Sequence, residues 1–281
     1  MDGAALVLAV FFSFGLRPFI YKPIAKKYPP AVAMLTDGIG SLILTLPFFF
    51  MSRVVFSWHP ILLLSLAHGA LLSYFVKYSQ IILKESTSSQ QYLLIVALGL
   101  VILINKLCGD KISNGQVITV IFVAMVALAF FLRIVRKLSK EAQAAWVIDL
   151  VILFLILSIP AIALRYSNWF SLFLFTSIAN FATDIYEFIK CKNILKREKI
   201  KLSGDLLWAG LFQALGELIF MYANPALGVT SVLVIKRASA PFVMLINNFF
   251  LNKHEENNFD NVVFAILAGL LALLYFLTAN Q

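Results

Sequence analysis

Ten stretches of mostly apolar residues, each about long enough to cross a bilayer as a helix, follow one another along the chain with only short connections. They run roughly Ala4–Tyr21, Ala31–Met51, Pro60–Leu83, Ser86–Asn105, Gly115–Arg133, Trp146–Leu164, Trp169–Ile189, Asp205–Tyr222, Leu227–Leu251 and Asn261–Thr278. Backbone polar groups inside lipid must be satisfied within the segment, so a chain of this pattern folds as a bundle of helices. The short alternating segments of a membrane β-barrel are absent. Charged residues make up 13% of the chain, about half the share of a soluble domain. The expected fold class is therefore all-α and integral to the membrane, with ten transmembrane helices and no interposed soluble domain. The opening stretch lacks a basic leader and is read as a retained helix, not a removed signal.

The ten segments divide five and five. Residues 1–133 form a first five-helix repeat, 134–145 a linker and 146–281 a second repeat. A shift of 145 positions lays the fourth and fifth stretches on the ninth and tenth, with Val117 on Val262, Ile121 on Ile266 and Phe131 on Phe276. An odd number of helices per repeat makes the two halves enter the membrane in opposite senses. Such inverted repeats are a ground plan of secondary transporters, which hold substrate near the midplane.

Charge sets the expected orientation. Of the 19 Lys and Arg between the stretches, 15 lie on one side, among them Lys26, Lys84, Arg136, Lys140 and Lys190. Arg53, Lys106, Lys111 and Arg165 lie on the other. Positive loops stay in the cytoplasm, which leaves both termini outside. The net charge of +9 thus reflects topology, and nucleic acid is not expected as a partner. Cys108 and Cys191 fall on opposite faces and cannot form a disulfide.

Two cations break the ninth stretch. Lys236 and Arg237 stand side by side in its middle, where a charge costs ~3 kcal/mol on insertion scales. They need a counter-charge, a wet cavity or an anionic ligand. Arg offers a planar fork and Lys a mobile point charge, which together suit a dianionic headgroup. Glu217 in the eighth stretch is the nearest acid in sequence, and the turn at Asn224-Pro225 makes the two helices neighbours. Glu217 is either a counter-charge released by substrate, a proton carrier or a permanent structural partner. Gln213 shares its face one turn earlier.

Under the repeat, Gln91 and Tyr92 correspond to Lys236 and Arg237, and His68 to Gln213. These neutral groups would contact the uncharged part of a solute. For each there is a plainer role: Gln91 at the membrane interface, His68 as a satisfied packing residue. Arg17 and Asp37 flank the Pro29-Pro30 turn symmetrically and are expected to face each other, as a structural pair or a cytoplasmic gate. Asp184 and Glu187 are read as interfacial partners of the following lysines. Pro241 removes a backbone donor and marks an expected bend.

Several residues resemble the drug/metabolite transporter superfamily, which includes the EamA-like permeases. They are Met221-Tyr222-Ala223-Asn224, Ala238-Ser239-Ala240-Pro241, the acidic loop at Glu255-Glu256, and Ala268-Gly269-Leu270. The Lys236-Arg237 dipeptide is similar to the pair in the ninth helix of the triose-phosphate and nucleotide-sugar translocator branch. The resemblance implies a permease of the cell (inner) membrane that moves a small-molecule substrate, with Lys236 and Arg237 on its phosphate or carboxylate. Protons or a counter-substrate would couple the movement. The alternatives are an exporter of amino acids or amphipathic cations, with the cations neutralised structurally, and a membrane scaffold or membrane-embedded enzyme. No phosphate-binding loop, dinucleotide fingerprint or metal-ligand spacing occurs, so no cofactor, no metal and no enzymatic activity are expected.

Overall fold

The structure, a computed structural model, describes residues 3–15, 17–50, 56–197, 204–250 and 258–278. Among these it is all helical, without strands. The helices are α1 (Gly3–Gly15), α2 (Arg17–Lys27), α3 (Pro30–Phe49), α4 (Leu62–Glu85), α5 (Thr87–Leu107), α6 (Asn114–Val135), α7 (Lys140–Ala163), α8 (Trp169–Arg197), α9 (Gly204–Leu227), α10 (Val229–Phe250) and α11 (Asn258–Leu277).

Eleven helices stand where ten were expected, because the first apolar stretch is covered by two, α1 and α2. The second carries Pro23 within it and the cations Lys26 and Lys27 in its last turn. Among the described residues five helical segments are long and apolar enough to cross a bilayer: Pro30–Phe48, Asn114–Val135, Lys140–Ala163, Trp169–Cys191 and Leu206–Leu227. The helix α4 falls short of them in hydropathy because it carries His68, Lys77, Gln80 and Lys84. The helix α10 bears Lys236 and Arg237.

The outward faces are those of a membrane protein. On α6, Ile118, Phe122, Met125 and Leu132 are exposed, and that spacing puts them on one stripe of the helix. Val262, Ile266, Leu270 and Leu273 do the same on α11. Inside, one apolar cluster joins α5, α6, α7 and α10, with the Phe131 and Trp146 rings stacked 3.9 Å apart.

Successive connections alternate between two faces of the bundle. On one face the α3–α4 connection meets the α7–α8 connection, where the Ser57 N–H donates to Ser171 Oγ at 2.9 Å and His59 stacks on Tyr166. Cys108–Asp110, Arg165, Asn224, Pro225 and Gly228 border one pocket there. On the opposite face the Ser139 N–H donates to Glu85 at 2.9 Å. The first face carries Lys106, Lys111 and Arg165; the second carries Lys84, Arg136, Lys137 and Lys140.

Within the bundle α3 packs on α9 and α8 on α4, while α3 and α8 meet each other. Likewise α4 packs on α7 and α1 on α9, α5 on α6 and α10 on α11, α5 on α7 and α1 on α10. Two of these crossings are main chain against main chain. A Cβ on Gly69 would stand 2.1 Å from the Thr176 carbonyl oxygen, and one on Gly210 would stand 1.9 Å from that of Thr36. Only glycine admits so close an approach. Gly38 and Gly40 also allow close contact, against α8 and α9 respectively.

Candidate functional site

The turn between α9 and α10 is a single residue, Gly228, whose φ of 81° suits glycine. The Gly228 N–H closes on the Asn224 carbonyl at 2.9 Å. Asp110 reaches over from the α5–α6 connection and accepts the Thr230 N–H at 2.7 Å, satisfying an orphan donor in the first turn of α10. This fixes the start of α10 against the end of α9 and the α5–α6 connection.

Two turns into α10, Lys236 Nζ lies 3.7 Å from Glu217 Oε1, with each side chain 11% exposed. The ammonium also sits 5.3 Å above the Phe220 ring. Arg237 is 5% exposed, and as the next residue on the helix it projects about 100° away from Lys236. Gln213, on the Glu217 face of α9, is 2% exposed, and neither amide atom has a hydrogen-bond partner among the described residues. From α4, His68 comes within electrostatic reach of both Glu217 and Lys236 and hydrogen-bonds the Ile156 backbone. Its Nδ1 lies 3.2 Å from Thr176 Oγ1. Three helices thus bring His68, Gln213, Glu217 and Lys236 into one buried polar region.

The other expected site residues fall elsewhere. Tyr92 is fully buried in the apolar cluster on α5, a helix that packs against α10. The Gln91, Arg17 and Pro241 side chains lie outside the described residues, although α10 continues through Pro241 to Phe250. Asp37 is 3% exposed and accepts from Asn180 Nδ2 at 3.4 Å.

The expectation for Asp184 is overturned. Glu187 does pair with lysines, Lys77 at 2.7 Å and Lys190 at 3.5 Å. Asp184, one turn deeper, is fully buried against Gly38 and near Asp37. The rotation of α8 turns Asp184 into the bundle, away from the lysine-rich surface.

Asp149 was not singled out from the sequence. It is fully buried on α7 and accepts a hydrogen bond from Ser79 at 2.8 Å. An acid three residues into an apolar stretch was the available signal, of the same kind that marks Lys236.

A pocket of about 140 Å³ opens at the α9–α10 turn, lined by Asp110, Arg165, Asn224, Pro225 and Val229 among others. The Arg165 guanidinium lies over Gly109, where a Cβ would stand 2.0 Å from Nη2. Cys108 and Cys191 are free thiols. No group of three or more His, Cys, Asp or Glu that could hold a metal occurs among the described residues.

No protein-family model matches the chain, and no curated protein does. Solved structures do match, 22 chains in number. One is a protein known from a crystal structure, similar at a TM-score of 0.68 with 11% identity, over 100% of this chain and 99% of that one. At that identity the likeness concerns the fold alone, and it extends over the full described bundle.

Proposed function

We propose that this chain is a secondary transporter of the drug/metabolite type, moving a small organic anion across the cell membrane by alternating access. Ten spanning helices would form two inverted five-helix repeats, with α1 and α2 together making the first. The helix pairings support the repeat, because exchanging the halves maps them onto one another. The α3–α9 contact exchanges with α8–α4, α4–α7 with α9–α1, and α5–α6 with α10–α11. The two glycine crossings exchange as well, since Gly69 and Gly210, like Thr36 and Thr176, stand roughly 140 residues apart. That shift is smaller than the 145 of the fourth and fifth helices, and with Gly69 laid on Gly210 His68 aligns with Ala209 instead of Gln213.

The observation that carries the reading is the Lys236–Glu217 pair on α10 and α9, with the buried Gln213 amide, unpartnered among the described residues, one turn away on α9 and His68 on α4 within electrostatic reach. Intramembrane charges mark substrate or ion pathways far more often than packing sites. The phosphate or carboxylate of the solute would lie on Lys236 and Arg237 and displace Glu217. Gln213 would donate to the same group, and His68 would contact the remainder. Before substrate arrives, Glu217 holds the Lys236 charge.

The 3.7 Å separation of Lys236 and Glu217 favours a second reading, in which this pair is permanent and the exported solute is an amino acid or amphipathic cation. One experiment separates the two. Reconstituted protein is heated with panels of organic phosphates, carboxylates, amino acids and amphipathic cations. Anion binding in hundredfold excess over Kd would add about 2.7 kcal/mol of stability, and Lys236→Gln and Arg237→Gln would abolish the shift. An equal shift in all three proteins rejects the anion site.

A further inference from the structure

Asp184 presents the least compensated acid of the described bundle. It lies within the Trp169–Cys191 span, is fully buried, and neither carboxyl oxygen has a hydrogen bond of full geometry. The Ser73 hydroxyl and the Gly38 backbone are near it, but Ser73 donates instead to Asn180 Oδ1 at 2.5 Å. Among the described residues its charged or titratable neighbours are these. Asp37 faces it from α3 and Glu187 from α8 itself. On α4, Lys77 is taken by Glu187 and His68 is held at Thr176. The remaining packed helix, α9, contributes Glu217, which is engaged with Lys236. No cation stands within ion-pair distance of Asp184 among the described residues.

A carboxylate in such a place would be an uncompensated charge inside a membrane, and a second acid beside it makes ionisation worse. The neutral acid carries neither cost. A metal ion is a poor substitute, because it needs a shell of oxygens. Here the carboxyl lies against the α3 main chain, 2.5 Å from where a Gly38 Cβ would stand.

We propose that Asp184 is a proton-binding site, occupied while α3 and α8 are packed at Gly38 and emptied when that crossing opens. On opening, the acid loses its proton to bulk water and becomes a carboxylate; no other bond changes. On reclosing, the proton returns. The site rests on α8 spanning the membrane and not on an anion at Lys236, so each proposal can fail without the other.

Infrared spectroscopy of the full chain in liposomes tests this directly. At neutral pH the wild-type protein is expected to show the carbonyl stretch of a protonated carboxyl, shifted in heavy water. The band disappears in Asp184→Asn and survives, one variant at a time, in Asp37→Asn, Asp149→Asn, Glu187→Gln and Glu217→Gln. No band in the wild type overturns the proposal whether or not Asp184→Asn folds. So does its loss in any of the other four variants, or its persistence in folded Asp184→Asn. Replacing sodium by choline should leave it unchanged; a band that appears only without sodium would make this a sodium site and overturn the proton assignment.

Discussion

Removing one partner of the Lys236–Glu217 pair leaves a charge in a dry site, a loss of about 3 kcal/mol or more. Glu217→Gln is therefore expected to lower the unfolding midpoint in detergent sharply, and Glu217→Gln with Lys236→Met to recover most of it. If the double variant loses the sum of the single losses, the two groups are not coupled. Gln213→Leu should act in the opposite sense. A buried amide without partners carries a desolvation cost of roughly 1–3 kcal/mol, so the leucine variant is expected to be more stable and to lose its ligand shift. Stabilisation at the expense of binding is the usual signature of a site. The Lys236–Glu217 pair was legible in the sequence because the short turn at Asn224-Pro225 brings the two oppositely charged segments together. Asp184 was not, since α8 offers too little polar contrast to fix its rotation.

At the level of helices, caps are the readable part. Ser113 forms a capping box with Gln116, each accepting the other's backbone N–H at 3.1 and 2.9 Å. Both residues also reach α11, Ser113 Oγ donating to the Thr278 carbonyl at 2.6 Å and Gln116 Nε2 to that of Tyr275 at 3.1 Å. Ser113→Ala is expected to cost about 1 kcal/mol as a cap and to loosen α11, measured as faster hydrogen exchange at the end of that helix. Exchange unchanged in α11 would confine the effect to α6. Hydropathy located most helices to within a few residues but began α7 six residues late and ended α8 eight residues early, where polar turns extend each helix beyond its apolar stretch. It missed the division of the first stretch into α1 and α2, because an average over twenty residues does not resolve where a helix stops and the next begins.

For the whole molecule, charge and structure agree on which loops share a face, and an impermeant thiol reagent can name the sides. A cysteine at Asp2 in a cysteine-free background is expected to label from outside intact cells. Labelling only after the membrane is opened would put the termini in the cytoplasm. The all-helical, membrane-type character was legible at this scale since it follows from solvent alone; the helix number was not, eleven standing where ten were expected. The crossings were not, because which glycine meets which carbonyl depends on pairings distant in sequence.

Those crossings constrain motion. Where Gly69 lies on Thr176 and Gly210 on Thr36, main chain meets main chain, so a tilt of α4 on α8 or of α3 on α9 can turn about these points, while the His68–Thr176 and Ser73–Asn180 bonds beside the first would have to give. Each contact behaves as a rivet, permitting the blades to scissor while forbidding separation along the bundle radius. Gly210→Val would drive two methyl groups into that joint, and overpacking of this kind costs about 1–3 kcal/mol. Under the proposed alternating access, a bundle fastened at two such points would swing one end open while drawing the other closed.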